Sequence, residues 1–242
     1  MRVMILAAGR GERMRPLTDT TPKALLPVGG KPLIIWHLER LAQAGFHRVI
    51  INLDHLGGQI HDELGNGSRW NLSIVYSQEP PGALETAGGI AHVLPLLGDH
   101  PFLVINADIF CDWPLESALI FPLQNRLAHL VLVDNPPHNP EGDFFLGKNG
   151  LIQDTEGSRL TYTGIGIYSP ALFKSLDPDA PARLAPLLHD AVPKGMISGE
   201  RYGGAWFDVG TPEQLYDLDR MLPHDTPSDK NSDTPDPNTP DE

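Results

Sequence analysis

The sequence is poor in cysteine and basic residues and has no long hydrophobic run. Cys111 is its only cysteine, which excludes an internal disulfide and suits a reducing compartment, so we expect a cytoplasmic protein. No apolar stretch approaches the ~20 residues that span a bilayer, and no charged leader precedes the first apolar segment, so no membrane partner is expected. The 18 basic against 31 acidic residues give a net charge of −13, which argues against a nucleic-acid partner.

The 242 residues divide into two regions of different composition. Residues 222–242 contain five prolines, six acidic residues and one lysine, and a segment of this kind cannot bury a core. We therefore predict a disordered acidic, proline-rich tail. Residues 1–221 have the length of one large domain, and their composition is compatible with a monomer while leaving the oligomeric state open.

Apolar strand patterns alternate with amphipathic helix patterns along the first part of the chain. Strands are predicted at residues 3–7, 48–53, 73–77, 101–110 and 128–136, and helices at residues 32–46, 57–64 and 85–98. This alternation predicts an α/β fold with a mostly parallel sheet and helices on both faces. After Pro140 the pattern changes to short β-like segments, which predict extensions of the sheet and a small β-rich lobe.

The loop after the first strand combines glycine with basic residues. Gly9 and Gly11 allow backbone N–H groups to approach an anion, and Arg13 and Lys23 add positive charge, as a triphosphate requires. Met14 stands where the third glycine of a dinucleotide-binding motif would be, which argues against a nucleotide-cofactor dehydrogenase. The loop also lacks the Gly-Lys-Ser/Thr of a P-loop.

Two aspartates stand where ligands or turns are common. Asp108 ends an apolar strand in "VINADIF", and Asp208 precedes a Gly-Thr turn in "WFDVGT". Ligands bind at the carboxyl ends of parallel strands, and two carboxylates could share one Mg²⁺ with phosphate oxygens and water. Capping of local turns is the alternative for each residue.

These motifs together resemble those of a known family. "LAAGRGERMRPLT" followed by "PKALLPVGGKPL" resembles the signature of sugar-phosphate nucleotidyltransferases, and the similarity continues through "LETAGGI", "NADIF" and "WFDVGT". The resemblance implies that residues 1–221 form a catalytic domain with a doubly wound, mostly parallel, Rossmann-like sheet and a β-rich lobe on the acceptor side. A catalytically silent nucleotide-sensing domain on the same fold is the alternative.

The resemblance also implies a role for individual residues, with Mg²⁺ as the cofactor. Arg13, Lys23 and Asp108 would be catalytic, and Asp108 and Asp208 would bind the metal. The nucleoside triphosphate would be bound by Ala8, Gly9, Gly11, Glu12, Arg13, Lys23, Glu79, Glu85 and Thr86. The sugar phosphate would be bound by Asn106, Asp143, Thr163 and Gly164. The family often has glycine where Glu85 stands.

Residues 130–144 and "DVGTPEQL" resemble the members of the family that act on UTP and N-acetylmuramic acid 1-phosphate in peptidoglycan recycling. Guanylyl transfer to mannose 1-phosphate, and uridylyl or thymidylyl transfer to glucose 1-phosphate, are the alternatives. The muramic sugar carries a lactyl carboxylate, so its pocket must be roomy there. An arginine or a backbone N–H is expected to bind that carboxylate.

Overall fold

The computed structural model describes residues 1–80, 82, 84–155 and 157–223, so the predicted tail lies outside the described residues except at its first two positions. The strands are β1 (Val3–Leu6), β2 (Pro27–Val28), β3 (Lys31–Pro32), β4 (Arg48–Leu53), β5 (Ser73–Gln78), β6 (Phe102–Asn106), β7 (Ile109–Cys111), β8 (Ala128–Val133), β9 (Phe144–Leu146), β10 (Ile152–Gln153), β11 (Ser158–Tyr168), β12 (Ile197–Arg201) and β13 (Trp206–Asp208). The helices are α1 (Leu33–Gln43), α2 (Gly57–Leu64), α3 (Glu85–His92), α4 (Leu94–Leu97), α5 (Glu116–Ile120), α6 (Leu184–Ala191) and α7 (Pro212–Met221).

The central sheet is mixed but mostly parallel. Its main strands lie in the order β5-β4-β1-β6-β11-β8-β12, and β9 and β10 extend it alongside β11. Only β11 runs antiparallel to its neighbours among these main strands. The predicted α/β fold with a mostly parallel sheet is therefore confirmed, and the β-rich segment continues the same sheet.

Alternate residues of β1 pack on opposite faces of this sheet. Val3 and Ile5 belong to the cluster that contains α1, whereas Met4 belongs to the cluster that contains α3 and α6. Burial on both faces explains why the central strands are continuously apolar, as is usual in parallel sheets. The sheet thereby aligns the carboxyl ends of β1, β4 and β6 at one edge.

Two predicted elements are each divided in the structure. The strand predicted at residues 101–110 ends at Asn106, because the chain turns at residues 107–108 and continues as β7, which pairs with β13 in a separate two-stranded sheet. The helix predicted at residues 85–98 is interrupted at Val93, just before Pro95, which lacks the N–H that a continuous helix needs. The first division places Asp108 in a turn at the sheet edge.

The long strand β11 bends where it passes the central strands. Its register with β8 shifts between Tyr162 and Gly166, and Gly164 has φ of 85°. A Cβ atom at Gly164 would lie 2.8 Å from the Asn106 side chain, so only glycine fits both the conformation and the space. Among the described helices, none is both long and apolar enough to cross a membrane.

Candidate functional site

The glycine-rich loop folds back over its own basic residues. Gly11 has φ of 63°, and a Cβ atom there would lie 2.8 Å from the Thr18 side chain and 3.3 Å from Lys23. The Thr18 hydroxyl donates a 2.8 Å hydrogen bond to the Gly11 carbonyl, which holds the fold of the loop. Around Gly9, in contrast, an added Cβ would meet no heavy atom within 4 Å. The backbone at Gly9 therefore faces open space that a ligand can enter.

Asp108 and Asp208, which are far apart in the sequence, lie side by side in the structure. Lys23 Nζ donates to Asp108 Oδ2 at 2.6 Å, and the lysine side chain is only 10% exposed. The N–H of Val209 donates to the Asp108 carbonyl at 2.9 Å, and β13 pairs Asp208 with Ile109. This pairing of β7 with β13 brings the "NADIF" and "WFDVGT" motifs together.

The carboxylates of Asp108 and Asp208 concentrate negative charge. Burial raises the pKa of the Asp208 carboxyl, and the charge of Asp108 raises it further. Three positive side chains oppose this rise in pKa: Lys23, His138 and Arg13. His138 Nε2 lies 3.5 Å from Asp208 Oδ2. A neighbouring like charge disfavours the ionised form of a carboxyl group, and a bound cation would relieve this repulsion.

The chemistry of this pair fits a hard divalent cation. Carboxylate oxygens are the ligands that Mg²⁺ prefers, and Mg²⁺ is usually bound by one or two carboxylates together with substrate phosphates and water. The described residues contain no group of three or more His, Cys, Asp or Glu side chains with metal-binding geometry. A cation held by Asp108 and Asp208 would therefore need ligand oxygens to complete its coordination.

A cavity of about 260 Å³ opens at the carboxyl ends of β1, β4 and β6. It is lined by Leu6, Ala8, Gly9, Asn52, Glu79, Glu85, Thr86, Asn106 and Asp108. Five of the predicted nucleotide-binding residues are in this lining. Asn106 and Asp108, which also line this cavity, belong to the predicted sugar-phosphate and metal sites. The predicted nucleotide site therefore adjoins both of them.

The sequence analysis missed Asn52, which organises the floor of this cavity. Its Oδ1 accepts from the Ala7 N–H at 2.8 Å, and its Nδ2 donates to Glu79 Oε1 at 2.7 Å. A Cβ at Gly89 would lie 2.6 Å from Glu79 Oε1, so a glycine on α3 makes room for this carboxylate. The signal that the sequence offered was Asn52 itself, a polar residue near the end of the apolar segment "RVIINL".

A second cavity, of about 280 Å³, adjoins the first at Asn106. It is lined by Asn106, Ile109, His138, Asn139, Asp143, Thr161, Tyr162, Thr163, Gly164, Trp206 and Asp208. All four predicted sugar-binding residues are in this lining. Trp206 and His138, which the sequence did not single out as ligands, share the same wall and stack with ring centroids 6.4 Å apart.

Two of these predicted sugar-binding side chains already have partners within the protein. Asp143 accepts from the Tyr162 N–H at 2.8 Å and from Asn139 Nδ2 at 3.1 Å. The Thr163 hydroxyl is fully buried and donates to the Val131 carbonyl at 2.8 Å. Thr163 can therefore offer the cavity only its backbone, whose carbonyl also accepts from Trp206 Nε1 at 2.9 Å. The Asp143 carboxylate is held in a fixed orientation and keeps lone pairs for a ligand.

Glu12 and Arg13 do not line either cavity. Both are exposed, on the short 3-10 helix Glu12–Met14. The Arg13 guanidinium packs beside Gly210, and its Nη2 would lie 3.2 Å from a Cβ atom added at Gly210. This contact connects the glycine-rich loop to the turn after Asp208. Glu12 adds negative charge, so only its backbone N–H suits a phosphate.

Comparison with known proteins identifies the class. The profile of the nucleotidyl transferase family matches residues 2–224, and the chain belongs to this family. The family resemblance drawn from the opening loop is thus confirmed, and so is the assignment to nucleotidyltransferases.

The chain is also similar to individual proteins over most of its length. The chain is 53% identical over 218 residues to the N-acetylmuramate alpha-1-phosphate uridylyltransferase of Neisseria meningitidis serogroup B, covering 87% of this chain and 94% of the relative. It is 34% identical over 229 residues to the protein of the same name from Caulobacter vibrioides, covering 87% and 92%. A Bacillus anthracis structure assigned as a glucose-1-phosphate thymidylyltransferase superimposes with a TM-score of 0.82 at 23% identity, covering 93% of this chain and 96% of that one, and this likeness concerns the fold.

Proposed function

We propose that the protein transfers a uridylyl group from UTP to N-acetylmuramic acid 1-phosphate, with Mg²⁺ as its cofactor. An oxygen of the sugar phosphate forms a bond to the α-phosphorus of UTP, the bond from that phosphorus to the β-phosphate oxygen breaks, and pyrophosphate leaves. The products are UDP-N-acetylmuramic acid and pyrophosphate. The observation that carries the choice of substrates is the 53% identity to a relative of that name over nearly the whole of both chains.

The first cavity suits the nucleotide. Backbone groups of Ala8 and Gly9 would face the nucleotide across the open space at Gly9, and the backbone of Gly11, folded against Thr18 and Lys23, would approach the phosphates. Glu79, fixed by Asn52, would accept from a base N–H, with the backbone of Glu85 and Thr86 nearby. The backbone N–H of Glu12 would complete the loop around the β- and γ-phosphates.

Three side chains would lower the barrier to transfer by electrostatics. Lys23 Nζ, held by Asp108, would bind an oxygen of the α-phosphate, and Arg13 would bind the departing pyrophosphate. Asp108 and Asp208 would hold Mg²⁺, which offsets negative charge on the phosphate oxygens. The acceptor is itself the nucleophile, so the protein supplies position and charge and needs no covalent intermediate.

The second cavity suits the acceptor. Asn106 and Asp143 would bind sugar hydroxyl groups, and the backbone of Thr163 and Gly164 would supply further hydrogen bonds. Because the two cavities meet at Asn106, the acceptor phosphate would lie next to the α-phosphorus. With these substrates the protein would act in the cytoplasm, where UTP is available, and in peptidoglycan recycling.

The test is a matrix of donors and acceptors. The purified protein is incubated with Mg²⁺, each of the four common nucleoside triphosphates, and the 1-phosphates of N-acetylmuramic acid, N-acetylglucosamine, glucose and mannose. Pyrophosphate release should be fastest with UTP and the muramic sugar. A preference for GTP with mannose 1-phosphate would overturn the substrates, and no release from any pair would favour a nucleotide-sensing domain.

A further inference from the structure

A third cavity, of about 500 Å³, adjoins both the nucleotide and the acceptor cavities. It shares Glu85 and Thr86 with the first and Asn106, Asp143 and Tyr162 with the second. The ionisable residues in its lining include Arg159, Arg183 and His189 together with the acids Glu85 and Asp143, whereas the acceptor cavity is lined by Asp143 and Asp208 with His138 as its basic member. In a protein of net charge −13, the two arginines of this cavity, a residue type that the lining of the acceptor cavity lacks, can bind an extra carboxylate beside the acceptor.

Hydrogen bonds fix the backbone just before Arg183 beside this cavity. The N–H groups of Ala87 and Gly88 donate to the Ala182 carbonyl at 2.9 and 3.0 Å, and the Ala182 N–H donates to Leu84 at 2.9 Å. A Cβ at Gly88 would lie 2.7 Å from a backbone oxygen of this segment, so glycine permits the close approach. These bonds fix the residue before Arg183 against the start of α3.

Glu85, at the start of α3, faces Arg183 in an unfavourable backbone conformation. Its φ is 60°, in the left-handed region that costs a non-glycine residue about 1 kcal/mol or more. Arg183 Nε lies 3.6 Å from Glu85 Oε1, a loose contact between side chains that are 76% and 45% exposed. Non-glycine residues in rare backbone conformations cluster at active sites and ligand-binding sites.

We propose that Arg183 binds the lactyl carboxylate of the acceptor sugar and that Glu85 is a positioning residue that orients Arg183. This inference rests on the proposed function, since it assigns the specificity of that same site. The contact with Glu85 uses Nε, and the two terminal nitrogens of Arg183 provide the planar fork that binds a carboxylate in a bidentate manner. Arg159 is the less suitable donor because its guanidinium lies 5.3 Å from the Phe145 ring centroid, in a cation–π contact.

The experiment compares two acceptors that differ only in the lactyl group. At saturating UTP and Mg²⁺, kcat/KM is measured with N-acetylmuramic acid 1-phosphate and with N-acetylglucosamine 1-phosphate for the wild type and for Arg183→Gln. The ratio of the two values should fall about 10- to 100-fold in the variant, the loss expected for one charge-assisted bidentate contact, and the change should be in KM for the muramic sugar. For Arg183→Lys, which keeps the charge but not the planar fork, the ratio should lie between those of the wild type and Arg183→Gln.

Two further variants separate this role from a structural one. Arg69→Gln is the matched control, because Arg69 is also exposed and paired with one glutamate, Glu63, away from the cavities, and its ratio should equal that of the wild type. Glu85→Gly should lower the ratio by less than Arg183→Gln. The double variant should be no worse than Arg183→Gln alone, because Glu85 acts through Arg183.

The outcomes distinguish the two proposals. If the wild type fails to use the muramic sugar, the proposed function is wrong and the inference falls with it. If the wild type uses it but Arg183→Gln keeps the ratio, or lowers kcat/KM equally for both acceptors, only the inference is wrong. A fall in the ratio with Arg159→Gln but not with Arg183→Gln would assign the carboxylate to the other arginine.

Discussion

The donor side and the acceptor side of the site are built in different ways. On the donor side, the glycine-rich part with Gly11 and Lys23 comes from one loop after β1, and the residues that shape this loop are neighbours in sequence, although Asn52 and Glu79 at the cavity floor come from other segments. On the acceptor side, Asp143, Arg183 and Trp206 come from three distant segments that meet only after the sheet has formed. A contiguous loop leaves a recognisable sequence pattern, whereas an assembled cavity does not.

The two cavities meet at Asn106, and a change at Asp108, two residues further along the chain, should have the largest effect. Asp108→Asn removes a charge from the two-carboxylate site, and we expect turnover to fall by about 10³-fold or more while the fold is retained. Asp134→Asn is the control, because Asp134 also lies just beyond the end of a strand of the main sheet but is exposed and paired with Arg201. Activity near the wild-type level in Asp108→Asn with Mg²⁺ present would reject the metal assignment.

Lys23→Ala tests whether the donor side acts on the nucleotide. Lys23 is buried against Asp108, and removing its charge should lower kcat by roughly 10²-fold with little change in KM for the sugar phosphate. Lys31→Ala is the control, since Lys31 is also partly buried and bonded to one carboxylate, Glu39. If KM for the sugar rose while kcat stayed the same, Lys23 would belong to the acceptor side.

Two buried histidines outside the cavities predict how stability depends on pH. Burial is the main cause that lowers the pKa of His37, on α1, and of His129, on β8, to about 4. The folded state therefore resists protonation, and stability should be lost as the pH falls from about 6.5 towards 4. Each histidine should account for roughly 2 kcal/mol between pH 7 and pH 5.

Urea unfolding of the wild type and of His129→Leu at pH 7 and pH 5 measures the contribution of His129. The substitution removes the bond from His129 Nδ1 to the Ser198 hydroxyl and so should lower stability at pH 7, but it should also reduce the loss between the two pH values. An unchanged pH-dependent loss in the variant would show that His129 is protonated as readily in the folded protein as in the unfolded chain.

Glu85→Gly should have the smallest effect on the fold, and in the opposite direction. Glycine relieves the left-handed conformation at φ of 60°, so the free energy of unfolding should rise by up to about 1 kcal/mol, although glycine also increases the entropy of the unfolded chain. Thermal unfolding measures this, with Glu85→Ala as a control that keeps the strain. A lower melting temperature for Glu85→Gly than for Glu85→Ala would contradict the assigned strain.

The contrast between a contiguous loop and a cavity assembled from distant segments explains which features the sequence could predict. The parallel strands follow from apolar runs between helices, and the donor loop follows from glycines and basic residues at one strand end. The division of residues 101–110 into β6 and β7 could not be predicted, because the partner strand of β7 lies almost a hundred residues away. Asn52 and Arg183 were missed for a similar reason: their roles depend on Glu79 and Glu85, which only the fold brings near.

The account rests on direct attack by the acceptor on the nucleotide where the two sides meet. The most direct test uses UTP with one α-phosphate oxygen replaced by sulfur, in a single stereoisomer, together with N-acetylmuramic acid 1-phosphate. The configuration at the α-phosphorus of the product is then determined. One in-line displacement predicts inversion of that configuration. Retention would show two displacements through a covalent enzyme intermediate and would contradict the account.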